Sequence, residues 1–222
     1  MNTKRHGVIA LLIAATVVVL SGCAASRSEI KLQSAAAPAP ATVTKARAVV
    51  IRSVKDERTF EKAPAVASTP SLGGEGADKA SAAIKDRAIA RKRNSYGMAM
   101  GDVLLQEGQS VSGLVRENLT TAFQQMGYRV TDAASAGKNP LLVDVQIKKF
   151  WSWMQPGFWA VTLNSDIETT IQVSGATSGT SVSVHVQDSR QVVTDGAWME
   201  IVDKALAAFR AQAAQKLQSP PL

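Results

Sequence analysis

The 222-residue sequence has a single cysteine, Cys23, and only two histidines, His6 and His185. One thiol cannot form an intrachain disulfide. With so few imidazoles, zinc sites and Ser-His or Cys-His nucleophile pairs lack parts. No apolar stretch at the N-terminus is long enough to cross a bilayer: Val8–Leu20 is 13 residues, against the roughly 20 that a transmembrane helix needs. The glycines of GGEGADKAS (Gly73–Ser81) lack the spacing of a phosphate loop and follow no strand signal. Catalytic and metal-ligating residues are therefore expected to be none, and no cofactor is implied. Aromatics make up only 5% of the chain, so the place where they gather carries information.

Lys4, Arg5 and His6 precede the apolar run, and Ser21 and Gly22 stand directly before Cys23 in LSGC. Basic start, short apolar run and small residues form a secretory signal. It resembles the bacterial lipoprotein signal, in which cleavage between Gly22 and Cys23 leaves the cysteine lipidated. The alternative is an ordinary signal peptide with an incidental cysteine. Lipidation makes the thiol a thioether, and each buried CH₂ of its acyl chains contributes about 0.8 kcal/mol to anchoring. By analogy with lipoprotein sorting, Ala24 rather than Asp after the cysteine favours the outer membrane, with the domain on the periplasmic face. Removing residues 1–22 takes away Lys4 and Arg5 from 25 bases, which leaves 23 against 18 acids, a net of +5. An exported basic protein meets anionic lipid head groups rather than nucleic acid.

Residues 1–22 are thus a signal peptide, and 23–45 the lipidated cysteine with an Ala/Ser/Pro-rich tether read as disordered. Residues 46–217 form a single domain, and 218–222 a tail. Within the domain, Arg47–Val54 is a β-branched strand, residues 57–95 an irregular insert that either carries short elements or is mobile, and Met100–Leu105 a short strand. Val111, Leu114, Val115, Leu119, Ala122, Phe123 and Met126 recur at helical spacing, with Ser110 as cap and Gly127 as left-handed stop. Tyr128 then reaches back to Phe123 and begins the strand YRV. Leu141–Met154, Phe158–Val173 and Ser181–Gln187 read as long strands. A closing helix over 196–217 begins at Thr194 or Asp195 and buries Trp198, Ile201, Val202, Ala205, Leu206 and Phe209. The expected fold is α+β, a largely antiparallel sheet with two helices packed on one face.

The stretch FWSWMQPGFWA (Phe150–Ala160) holds three of the four tryptophans. A plain two-residue turn at Pro156-Gly157 would set Val145 against Glu168, an aliphatic face against a charged one. A three-residue connection or a bulge, with Gly157 left-handed, sets Val145 against Ile167 and Trp153 against Trp159. In that register Trp151, Trp153 and Trp159 extend the aliphatic face and cap the core. Phe150 and Phe158 fall on the polar side or at the tip. The other reading makes Phe150, Trp151, Trp153, Phe158 and Trp159 an aromatic platform for a partner or the membrane interface.

Other candidates are weaker. Arg91, Lys92 and Arg93 form a cationic patch, either a solvated loop or a contact for anionic lipid. Lys55–Arg58 (KDER) is either a fixed Asp56–Arg58 pair or, the preferred reading, a plain charged exit from a strand. His185 alternates with valines onto a polar face. Asp144, Asp166 and Glu168 share the wet side of the sheet.

The lipoprotein signal, AVVIRSVKDERTF, EGQSVSGLVRENLTTAFQQMGYRV, the hairpin LLVDVQIKKFW…VTLNSDIETTIQV and the closing amphipathic helix together resemble the YajG-type family of uncharacterised bacterial lipoproteins. The resemblance covers most of residues 45–215. It implies an envelope location and no established activity. The expected role is a non-catalytic accessory or binding module whose partners are the membrane, through its lipid anchor, and an envelope protein. The alternatives are a structural subunit of an envelope-spanning secretion or flagellar assembly, and a hydrolase using Asp144, Asp166 and Glu168.

Overall fold

Alternating apolar and polar residues favour half-buried strands, and the longest such stretches set the architecture. The structure, a computed structural model, describes residues 27–34, 43–73, 76–94 and 96–218. In chain order the elements are β1 (Ser28–Ile30), β2 (Val49–Asp56), α1 (Gly76–Lys79), α2 (Ala82–Arg87), β3 (Ala88–Arg93), β4 (Ala99–Leu105), α3 (Val111–Gln125), β5 (Leu141–Pro156), β6 (Val161–Val173), β7 (Thr180–Arg190) and α4 (Asp195–Gln218). The seven strands form one sheet in the order β1-β4-β3-β5-β6-β7, with β2 also on β5.

The fold is α+β, and the sheet is mostly antiparallel with some parallel pairs. β5–β6, β6–β7 and β3–β4 are antiparallel, whereas β1–β4, β2–β5 and the single β3–β5 contact are parallel. The parallel β2–β5 pair follows from its connection: α3 lies between the two strands in sequence and supplies the crossover that parallel pairing requires. Both long helices contribute to one buried cluster with the sheet. It contains Val111, Leu114, Val115, Leu119 and Phe123 of α3 and Trp198, Ile201, Val202, Leu206 and Phe209 of α4, together with Val143, Val145, Ile147, Ile167 and Ile171. A buried polar clasp also joins the helices: Arg210 Nη1 donates to Asn118 Oδ1 at 2.5 Å, and Asn118 Nδ2 donates to the Leu114 carbonyl at 2.7 Å.

The helix ends match their sequence signals. Ser110 Oγ accepts from Gly113 N at 3.0 Å, and Thr194 Oγ1 from Ala197 N at 3.3 Å. Gly127 has φ +85°, and Tyr128 packs edge-on against Phe123 at 5.8 Å. YRV, however, makes only one bridge, Val49 to Val130.

One segment departs from expectation, and a second resolves one way. Inside the stretch read as tether, β1 pairs with β4, and Ile30 and Leu32 are buried. Gln109 holds the Leu32 backbone at both ends, accepting from its N–H at 3.0 Å and donating to its carbonyl at 2.7 Å. Two apolar residues and a backbone fork outweigh the polar composition around them. The insert at 57–95, suspect as a structureless loop of that length, carries short elements, α1, α2 and β3. It covers the second face of the sheet, where Leu72, Ala88, Leu104, Trp151 and Trp153 form a separate buried cluster flanked by Phe60, Ala67 and Ile84.

Candidate functional site

The β5–β6 hairpin explains why the two faces share the aromatics. Pairing runs Ile147–Thr169 and then Lys149–Glu168, which leaves Lys148 as an extra residue in β5. A bulge of this kind reverses the in-out alternation beyond it. Val143, Val145 and Ile147 therefore continue into Phe150 on the helix-covered face, while Trp151 and Trp153 turn to the other. Val145 opposes Ile171, Trp151 opposes Asp166 and Trp153 opposes Asn164. The expected pairs Val145–Ile167 and Trp153–Trp159 do not form, because the bulge, one of the two alternatives, lies at Lys148 within β5 and the turn spans four residues. Rejection of the two-residue turn stands: Glu168 faces Lys149, not Val145.

The five aromatic candidates separate accordingly. Phe150, expected at the surface, is fully buried in the main core. Ser152, on the same face, donates to Ser165 Oγ at 2.9 Å, which satisfies a hydroxyl inside the core. Trp151 is fully buried beneath the insert. Its Nε1 donates to the Ala67 carbonyl at 3.1 Å, and Phe60 meets its ring edge-on at 6.1 Å. Trp153 is buried with Lys149 Nζ 5.4 Å above its ring and His185 5.9 Å away. Only Phe158 and Trp159 stand out of the fold, at 90% and 82% exposure, with ring centroids 4.7 Å apart and planes at 87°.

The loop that presents them is closed by Gly157, whose N–H donates to the Ala160 carbonyl at 2.9 Å. Gly157 is not among the positive-φ glycines. Its requirement is room: a Cβ there would sit 2.7 Å from the Ala160 carbonyl oxygen. The left-handed role expected of it is replaced by close backbone approach.

The polar candidates are drawn into contacts within the protein. Arg91 Nε lies 3.8 Å from Asp102, Lys92 Nζ 3.7 Å from Asp195, and Arg93 donates to the Gly97 and Pro64 carbonyls at 2.9 and 3.2 Å. Burial, and then the neighbouring Arg91 charge, lower the Arg93 pKa. Asp166 holds Lys149 Nζ at 2.7 Å on one oxygen and the ring nitrogen Nδ1 of His185 at 2.6 Å on the other. Arg52 and Ser53 both donate to Asp144 and hold its carboxyl at about 2, well below the usual range. Asp144 pairs across to Gln172, so six residues of β6 separate it from Asp166, about 20 Å at strand rise. Asp144 therefore shares no site with Asp166. Among the described residues no group of three or more His, Cys, Asp or Glu could hold a metal ion.

KDER proves to be the fixed pair rather than a plain exit. Arg58 Nε and Nη2 bind Asp56 at 2.8 and 2.7 Å, Nη1 donates to the Ala88 and Phe150 carbonyls at 2.7 and 2.8 Å, and Nη2 donates to the Lys85 carbonyl at 2.7 Å. All five guanidinium donors are used. A cleft of about 340 Å³ beside them is lined by Asp56, Phe60, Lys85, Asp86 and Ser112, and Asp86 is engaged there, accepting from Ser112 N at 3.0 Å and from its Oγ at 2.7 Å.

Sequence reasoning missed a second exposed turn. Between β3 and β4, Asn94 Oδ1 accepts from Tyr96 N at 3.0 Å and Met98 N at 2.9 Å, and Gly97 has φ +79°. Tyr96 and Met98 are 87% and 62% exposed. The Asn with a glycine three residues on was the available signal. Gly22 and Cys23 lie outside the described residues.

No known protein-family model matches the chain, and no curated protein matches it. Among solved structures it is similar to a Xanthomonas campestris protein described by the family model DUF330, with 11% identity and TM-score 0.44, over 87% of this chain and 97% of that one. A protein titled uncharacterised gives 10% identity and TM-score 0.39, over 87% and 97% of the two chains. A lipoprotein of Neisseria meningitidis gives 10% identity and TM-score 0.31, over 76% and 99%. Likeness at these scores says nothing about activity.

Proposed function

We propose that this chain is a lipoprotein of the YajG type, anchored through Cys23 at the periplasmic face of the outer membrane. It acts there as a non-catalytic accessory or binding module. The observation that carries the reading is LSGC ending at Cys23, directly after a 13-residue apolar run. No described helix is long and apolar enough to cross a membrane, so a covalent lipid is the attachment this reading supplies. Asp144, Asp166, Arg58 and Asp86 are each tied to partners within the fold. The feature left open for an encounter is the apolar turn of Phe158 and Trp159.

Labelling cells with a clickable palmitate analogue, followed by membrane fractionation, tests the proposal. The wild-type chain is expected to take up label and co-fractionate with outer membrane. Cys23→Ala should lose both, and Ala24→Asp should keep the label but move to the inner-membrane fraction. An unlabelled wild-type chain overturns the anchor.

A further inference from the structure

The exposed apolar residues are not scattered. β3 runs parallel to β5, so the β3–β4 turn with Tyr96 and Met98 lies at the same end of the sheet as the β5–β6 turn with Phe158 and Trp159. β7 finishes there too, because Arg190 pairs with Val161, and Val192 follows directly. Val66 stands two residues from Pro64, whose carbonyl accepts from Arg93 at 3.2 Å. Of the seven large apolar side chains exposed among the described residues, these six are at that end. The seventh, Val43, precedes Thr44, whose N–H donates to Gly127 at 3.1 Å beside the start of β2, at the opposite end.

The chain enters the fold from the same direction. β4 begins at the turn end with Ala99, and β1 runs parallel to it with Ser28 opposite Val103. Arg27 Nη2 donates to Asp102 Oδ2 at 3.1 Å and fixes the entry point. Cys23 stands four positions before Arg27, which limits it to about 14 Å from that point whatever its path. From Asp102 back to Ala99 is three residues of strand, about 10 Å. Asp102 lies level with Trp153 through the Arg91–Asp102 and Ala90–Ser152 pairings, so the opposite end of β5, at Leu141, is about 40 Å away, beyond this reach.

We infer that, in the anchored protein, the end of the sheet carrying Tyr96, Met98, Phe158, Trp159, Val66 and Val192 rests on the bilayer that holds the Cys23 lipid, with the Phe158–Trp159 and Tyr96–Met98 turns inserted at the head-group level. This rests on the lipoprotein reading above. The chemistry fits the site. Indole and phenol rings favour the interface, where an apolar body and a polar edge are both satisfied. Two aromatic turns beside a covalent lipid add buried apolar area to a single attachment point. The short leash leaves the domain one orientation in which both the lipid and the turns reach the membrane.

The test uses the full lipidated protein reconstituted in vesicles of phosphatidylethanolamine and phosphatidylglycerol carrying bromines at defined acyl depths. Trp151, Trp153 and Trp198 are buried, so the difference between wild type and Trp159→Phe isolates the exposed indole. That difference signal should be blue-shifted, quenched most by the shallowest bromines and protected from aqueous acrylamide. Acrylamide access without bromine quenching, on protein that carries its acyl label and floats with the vesicles, overturns this inference alone. Protection from both quenchers assigns the face to a second copy of the chain and also overturns it. A wild-type chain without acyl label removes both this inference and the lipoprotein reading.

Discussion

Arg58 shows how one side chain can hold four segments together. Its guanidinium binds Asp56 of β2, the Lys85 carbonyl of α2, the Ala88 carbonyl of β3 and the Phe150 carbonyl of β5. The side chain has no exposed area, and the ring of Phe60 lies 5.1 Å from it. Removing one partner from such a buried pair typically costs about 3–5 kcal/mol, because the remaining groups stay desolvated. Urea unfolding of Arg58→Met at neutral pH should show a loss of that size. Arg58→Lys should recover little of it, since one ammonium cannot reproduce a planar five-donor fork. A Met variant within about 1 kcal/mol of wild type would remove the central role assigned to this residue. Asp144 supplies a pH-dependent counterpart. Its folded pKa of about 2 lies below the unfolded value of about 3.9, so its contribution is fully present above pH 4 and is lost as pH falls through 2. Asp144→Asn should therefore be less stable than wild type at neutral pH, with the gap closing between about pH 4 and pH 2. A gap unchanged across that window would mean that the Arg52 and Ser53 contacts stabilise nothing.

Among the elements, β5 decides the two-faced character of the sheet. Lys148 itself makes only an exposed ion pair with Glu57 at 2.6 Å, worth up to about 1 kcal/mol. Its presence as an extra residue is what directs Phe150 to one core and Trp151 to the other. Lys148→Ala should accordingly cost less than about 1 kcal/mol in thermal or urea unfolding. Deleting Lys148 should abolish cooperative unfolding and near-ultraviolet tryptophan circular dichroism, because every aromatic beyond it changes face. A deletion variant as stable as Lys148→Ala would refute the bulge as the organising feature. The same element marks how far the sequence could be read. Helical spacing, Ser110, Thr194 and Gly127 gave α3 and α4 nearly to the residue, since those signals are local. The strands β5, β6 and β7 were also legible, but not their register. Alternation suggests a bulge, but its position at Lys148 and the four-residue turn (residues 157–160) are fixed only by the partner strand. β1 and β3 were invisible for a related reason: strands of three and six residues in Ala/Ser-rich or basic surroundings depend on neighbours distant in sequence. Of the candidate site, Phe158 was read correctly as tip-exposed. The preferred register wrongly puts Trp159 in the core, while the platform alternative includes it, and Tyr96 and Met98 escape sequence reading because a single tyrosine in a polar turn breaks no local rule.

For the molecule as a whole, three strand connections and the N-terminal entry make the two ends of the sheet unlike. Aromatic turns gather at one end, while the loop after β6 and the close of α4 frame a cavity of about 390 Å³ at the other, lined by Arg47, Leu141, Ser174 and Lys216. Arg47 and Lys216 are already engaged there with the Asn139 and Ser181 carbonyls. β1 also sets how the molecule bears tension. It lies lengthwise beside β4, with its leading end toward the turns, so a pull on the segment ahead of Arg27 in that direction is aligned with the strand. The ladder bonds, the Gln109 fork and the Arg27–Asp102 bridge then carry the load side by side, as in a lap joint, instead of parting one after another like a zipper. Hauled by its leading end, the domain should resist stiffly and give way in a single step.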